Sequence, residues 1–194
     1  MSSNKVKGGE RMDNGESSYL RYLSGDDSGL VELIRDHKDG LILFLNGYTH
    51  NIITAEELCE DTFVKLAVKK PVFDGRSSFK TFLYKIARNT ALDWKKTHRQ
   101  HISIDDAGEF DSGKRSLEEE YLREEQKIAL HRAMDNLKPD YRQVLWLTYF
   151  EELSNKETAA VMKKTVHSIE TLVYRARNAL KKQLEKEGFV YENI

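Results

Sequence analysis

The chain has 194 residues, 39% of them hydrophobic and 32% charged, with a formal net charge of −1. No apolar run approaches the roughly 20 residues that cross a bilayer, so insertion into a membrane is not expected. Cys59 is the only cysteine, which excludes an internal disulfide and a cysteine-rich metal site and points to a reducing cytoplasm.

Residues 1–18 are polar and Gly-rich without a hydrophobic stretch, and read as a disordered leader rather than a secretory signal. Next, Leu30, Leu33, Ile34, His37, Leu41, Phe44, Leu45 and Tyr48 recur at helical spacing, with Asp27 or Ser28 as the N-cap. Gly40 weakens the middle of that helix. In the following segment Thr54 and Glu57 have the spacing of a capping box. Its apolar face is Ala55, Leu58, Thr62, Phe63 and Leu66, which leaves Glu56, Glu60 and Asp61 outside. "PVFDGRSS" breaks the pattern, and a strong helix follows from Phe79 to about Arg99. "QHISIDDAGEFDSGKRS" has no sustained period and reads as a linker. Helical spacing resumes from Leu117, and Pro139 starts a further helix with Tyr141, Val144, Leu145 and Thr148 on one side. Ser154 and Glu157 form a second capping box, and Thr165 caps the last helix. No strand-like alternation appears. The expected fold is all-α: two small helical domains, residues 19–100 and 121–187, joined by a flexible acidic linker at 101–120, with a tail at 188–194.

Charge is distributed unevenly. Arg76, Lys80, Lys85, Arg88, Lys95, Lys96 and Arg99 cluster against the single acid Asp93, and a second basic zone runs from Lys156 to Lys182. Two basic regions around an acidic connector suit a bipartite polyanion binder, with solvated helix faces as the alternative on charge alone. At 100° per residue, Phe79, Phe82, Leu83, Ile86, Thr90 and Trp94 define a core stripe on the 79–99 helix. Its opposite arc holds Lys80, Lys85, Arg88, Lys95 and Lys96, with Tyr84 and Ala91 among them and Asn89 at the boundary. Cations suit phosphates, and flat rings and amides suit unstacked bases. Tyr84 fits either a core or a DNA-facing role. Residues 154–182 have the spacing of a helix-turn-helix, with Met162, Val166, Ile169, Val173, Ala176 and Leu180 inside and His167, Thr171, Tyr174, Asn178 and Lys181 outside. Helical hairpins without DNA function share that spacing. No histidine pattern suits a metal, no glycine-rich loop suits a phosphate, and no catalytic constellation emerges, so neither a cofactor nor an enzymatic activity is expected.

The order "TAEELCEDTFVKL", "FDGRSSFKTFLYKIARNTALDWKK", "LKPDYRQVLWLTYFEELSNKETAAVM" and "VHSIETLVYRARNAL" resembles the bacterial extracytoplasmic-function sigma factors over roughly residues 30–183. The resemblance implies a subunit of RNA polymerase holoenzyme that recognises the −35 and −10 promoter elements and promotes promoter opening. It implies that Glu56, Glu57, Glu60 and Asp61 dock on the clamp coiled coil of the largest polymerase subunit, and that the C-terminal domain meets the flap region. It implies −10 contacts by Arg76, Ser77, Ser78, Phe79, Tyr84, Lys85, Arg88 and Asn89, with the 73–78 loop taking a flipped base. At the −35 element it implies contacts by His167, Ser168, Glu170, Thr171, Tyr174 and Arg175. Members are commonly held by an anti-sigma factor, which is the further partner expected. Phe82, Thr158, Glu170 and Leu172 depart from the family pattern, the last two at recognition positions that are often basic or polar. A free-standing dimeric helix-turn-helix regulator is the alternative; it leaves the 79–99 helix and the 56–61 acids without a role.

Overall fold

A computed structural model of the chain describes residues 15–98 and 129–186. Every regular element among the described residues is a helix, and none is a strand. Helix α1 (Glu16–Leu23), the first described, begins inside the stretch expected to be leader and runs past its end at residue 18. Its anchors are two buried tyrosines: Tyr19 donates through its hydroxyl to the Pro71 carbonyl at 2.7 Å, and Tyr22 to that of Ala67 at 3.0 Å. A segment with only two inward side chains carries too little periodicity to be read as a helix, which is why the leader assignment overran it.

Helix α2 (Ser28–Thr49) runs through Gly40 without a break. At its start it lies so close to α1 that a Cβ on Gly29 would come within 2.1 Å of the Ser18 carbonyl oxygen. Helix α3 (Ile52–Lys69) begins earlier than the Thr54 cap predicted. Asn51, with extended backbone, accepts from the Thr54 N–H at 3.0 Å and takes the capping role instead. The expected face of α3 is buried, together with Cys59, whose thiol burial pushes up to about 12. Helix α4 (Phe79–Thr97) is capped by Ser78, which accepts from the Thr81 N–H.

In the second half, residues 129–135 form α5, and α6 (Pro139–Leu145) has its proline in the first turn. That helix continues into a π-helical turn, Trp146–Phe150, where the Glu151 N–H reaches back to the Trp146 carbonyl. Helix α7 (Asn155–Met162) carries the expected Ser154–Glu157 capping box, and Lys163 closes it with a left-handed φ of 55°. Helix α8 (Val166–Lys186) is the longest of this half, with the Ser168 N–H donating to Thr165 Oγ1 at 3.2 Å.

The two halves do not carry separate cores. One continuous apolar cluster runs from Tyr19 and Leu33 through Phe44, Tyr84 and Ala91 into Val144, Leu147, Ala159 and Ile169. Buried Tyr48 donates to Gln143 Oε1 at 2.8 Å across the junction, and Arg142 meets His50 Nδ1 at 3.2 Å. Large side chains buried here stabilise the union by about 1.5–3 kcal/mol each. The expected linker and most of the helix expected from Leu117 lie outside the described residues.

Candidate nucleic-acid interface

Helix α4 lies at the centre of the molecule, between α2 and α3 on one side and α7 on the other. Its fully buried positions are Phe79, Thr81, Leu83, Tyr84, Ala87, Thr90 and Ala91. On a helical wheel most of these span an arc centred about 70° from the predicted stripe. The large residues Phe82, Ile86 and Trp94 are only partly buried, and Trp94 stacks on His98 at 5.0 Å. The rotation has a steric reason: Ala87 and Ala91 have no bulk and let neighbouring helices approach closely.

Tyr84 therefore corrects its predicted exposed placement. It is 1% exposed, and its ring meets Phe44 edge-on at 5.1 Å. Burial, followed by the Glu151 carboxylate, pushes its hydroxyl well above the ordinary value. Phe79 is equally buried, against Tyr19, Phe73 and Phe82. Its ring is thus withdrawn from solvent here, because three aromatic neighbours and the start of α4 enclose it. Arg88 is half-buried and turned towards Tyr48, and its Nε is buried with no hydrogen-bond partner among the described residues. Lys95 lies over the Tyr48 ring at 5.7 Å, and burial together with Arg142 lowers its pKa. Lys85 is half-buried and Asn89 exposed. In the preceding loop Arg76 pairs with Asp74 at 3.2 Å, and Ser77 and Ser78 are half-buried.

Two carboxylates from the second half cover the start of α4. Glu157 Oε1 accepts from Ser78 Oγ at 2.6 Å and Thr81 Oγ1 at 3.2 Å, while its Oε2 completes the α7 capping box. Burial works against its charge, but the Ser78, Ser154 and Thr81 donors outweigh that and lower its pKa. Glu151 pairs with Lys80 Nζ at 3.1 Å in a nearly enclosed setting. Sequence reading missed both contacts across the junction. Glu157 was legible only as a cap, and Glu151 had no local signal at all.

The α7–α8 hairpin keeps its recognition face open. His167, Ser168, Glu170, Tyr174 and Arg175 are exposed and Thr171 is half-buried. His167 Nδ1 lies 3.9 Å from Glu170 Oε2. Ile169 and Ala176 are buried as expected, but Val166, the first residue of α8, is 41% exposed. Thr158 is fully buried and its hydroxyl has no partner among the described residues. On α3, Glu56, Glu57, Glu60 and Asp61 all face outward, flanked by exposed Ile53, Val64 and Val68. Among the described residues no group of acidic, histidine or cysteine side chains suits a metal, and no helix is long and apolar enough to cross a membrane.

Fold and site together define an all-helical protein built on a central cationic helix and a C-terminal helix-turn-helix. Residues 33–101 match the family model for Sigma-70 region 2, and residues 127–180 match that for Sigma-70, region 4. The chain is similar to the RNA polymerase sigma factor YlaC of Bacillus subtilis (strain 168), 32% identical over 160 residues that cover 81% of this chain and 92% of YlaC. It is 28% identical to the RNA polymerase sigma-H factor of Pseudomonas aeruginosa, covering 85% of this chain and 91% of that one. The ECF RNA polymerase sigma factor SigM of Bacillus subtilis is 27% identical, with 77% and 91% covered. Two solved structures share the fold at a TM-score of 0.64. One is CnrH in complex with the cytosolic domain of CnrY, at 21% identity with 90% of this chain and 99% of that chain covered. The other is the sigma factor RpoE with the anti-sigma factor NepR from Bartonella quintana, at 22% identity with 85% and 98% covered. This chain belongs to the sigma-70 family of RNA polymerase sigma factors, in its extracytoplasmic-function group.

Proposed function

We propose that this chain joins core RNA polymerase, directs it to promoters with its own −35 and −10 elements, and opens the duplex there. The observation that carries the reading is the presence in one chain of an open helix-turn-helix face and a cationic helix preceded by a polar loop. Neither surface alone needs the other. Together they suit one recognition event on duplex and one on unpaired DNA.

In this reading residues 19–100 form the promoter-opening domain, 101–120 the linker and 121–187 the upstream reader. Glu56, Glu57, Glu60 and Asp61 dock on the clamp coiled coil, with Ile53, Val64 and Val68 supplying apolar contact beside the charges. The reader domain meets the flap region. Arg76, Ser77, Ser78, Lys85, Arg88 and Asn89 contact the −10 strand directly. Phe79 and Tyr84 contribute by holding α4 in place. His167, Ser168, Glu170, Thr171, Tyr174 and Arg175 face the −35 major groove, where Glu170 is suited to accept from cytosine N4. The protein works in the cytoplasm without catalysis of its own, and an anti-sigma factor is its proposed regulatory partner. Both structural neighbours were solved in complex with a second protein, which supports that last point.

The test uses 2-aminopurine placed at the flipped position of a −10 element. Fluorescence rises when the base unstacks. Core polymerase with this chain is expected to give the rise on a cognate promoter, and core alone is not. No rise on any promoter that binds the holoenzyme would remove the opening role.

A further inference from the structure

We propose that helix α1, through Tyr19, positions the loop at residues 71–78 and so governs how well that loop captures the flipped −10 base. The inference rests on the function proposed above and adds a positioning residue to its −10 site, from a helix that carries none of the DNA or polymerase contacts named there.

The loop has little of its own to hold it in place. Among the described residues no backbone–backbone hydrogen bond involves residues 71–77. Within the loop, Asp74 accepts from the Arg76 N–H at 3.1 Å and pairs with its Nε at 3.2 Å. The chain enters through Lys70, whose φ of 42° is left-handed backbone that a lysine adopts only at a cost. Such a turn persists where its surroundings fix it. Helix α1 is what fixes it. The Tyr22 ring lies 4.8 Å from the Lys70 ammonium, and the Tyr19 hydroxyl donates to the Pro71 carbonyl at 2.7 Å. Proline has no N–H, so that carbonyl is the one backbone hydrogen-bonding group Pro71 offers.

The same tyrosine backs the middle of the loop. Its ring meets Phe79 at 5.1 Å and Phe82 at 6.0 Å, and those two rings hold Phe73 at 5.8 and 5.4 Å. Gly15 brings the start of α1 so near that a Cβ there would lie 2.8 Å from the Phe79 ring. Tyr19 thus grips the entry of the loop and the aromatic pair beneath it, while Val72, Asp74 and Arg76 stay exposed. Tyr22 does different work. Its hydroxyl donates to the Ala67 carbonyl in the last turn of α3, which in a longer helix would accept from residue 71. Pro71 has no N–H to give, and Tyr22 takes its place. One tyrosine therefore closes the helix, and the other sets the loop that follows.

The test separates the two hydroxyls on the full chain. Tyr19→Phe and Tyr22→Phe each keep a buried ring and delete one hydrogen bond. In the free chain a nitroxide is placed by Val72→Cys, an exposed site, and buried Cys59, with its thiol pushed up to about 12, escapes labelling. The nitroxide is expected to move faster in Tyr19→Phe and to match wild type in Tyr22→Phe. With core polymerase, 2-aminopurine beside the captured position is followed on two promoters, one with the cognate base there and one with that base substituted. Tyr19→Phe is expected to slow the fluorescence rise about fivefold on the cognate promoter, leaving the substituted promoter and core binding unchanged. A general weakening of the fold slows both promoters alike. No slowing, equal slowing on both, or the same effect from Tyr22→Phe overturns the positioning role. Unchanged nitroxide motion in Tyr19→Phe overturns the grip on the loop. A wild-type chain that gives no rise on any promoter overturns the function proposed above instead, and the nitroxide still decides the grip.

Discussion

Gly40→Ala places opposing effects on one residue. In the interior of α2, alanine is favoured over glycine by about 0.5–1 kcal/mol. The new Cβ, however, would sit 2.5 Å from Glu151 Oε1 and 2.9 Å from Tyr84 Oη. The tyrosine is locked by Phe44, so the carboxylate must move, and it leaves Lys80 when it does. Breaking a charge-assisted contact in this setting costs about 1–3 kcal/mol. The net effect expected is a loss of about 1 kcal/mol, a fall of roughly 2–4 °C in Tm. Circular dichroism at about 25 °C is expected to show retained helix content. A rise in Tm, with helix content intact, would refute the placement of Glu151 against Gly40.

Other outcomes follow from single contacts. Thr158→Val removes a buried hydroxyl that has no partner among the described residues and should stabilise the chain by about 1 kcal/mol, a rise of roughly 2–4 °C in Tm; a fall in Tm would mean the hydroxyl is bonded. Asn89→Ala, at an exposed position on α4, should weaken −10 opening several-fold in a strand-separation assay and leave core binding unchanged. An equal loss of core binding would assign Asn89 a structural role. Partial burial, then Arg142 and Lys95, hold the His50 imidazole below its ordinary value near 6.5. The unfolded chain then binds more protons than the folded one as pH falls through that value, so stability should decline from pH 7 towards 5.5. His50→Gln is expected to flatten that slope in a thermal-unfolding series, and an identical slope in both proteins would exclude His50 as its source.

Local signals in the sequence proved reliable where structure is locally determined. The Ser154–Glu157 capping box, the proline in the first turn of α6 and the buried face of α3 all depend on residues within a turn or two of one another. Positions that depend on distant partners were not legible in the same way. The wheel for α4 was weighted by Phe82, Ile86 and Trp94, but Ala87 and Ala91 allow the close approach that sets which face is buried. Tyr84 followed them inward. Helix α1 escaped notice because its two inward tyrosines find their hydrogen-bond partners around fifty residues further on. Acceptance of Ser78 and Thr81 by Glu157, nearly eighty residues away, has no counterpart in any local pattern. The outward placement of the α3 acids and of most of the α8 recognition residues matches their helical spacing, and their roles are carried by the function proposed above.

The most direct test of that function is transcription in vitro with core polymerase, followed by mapping of the start sites across a genomic promoter library. Core with this chain is expected to initiate at a discrete set of positions sharing upstream and downstream elements, which core alone ignores. Starts that are the same with and without the chain would contradict it.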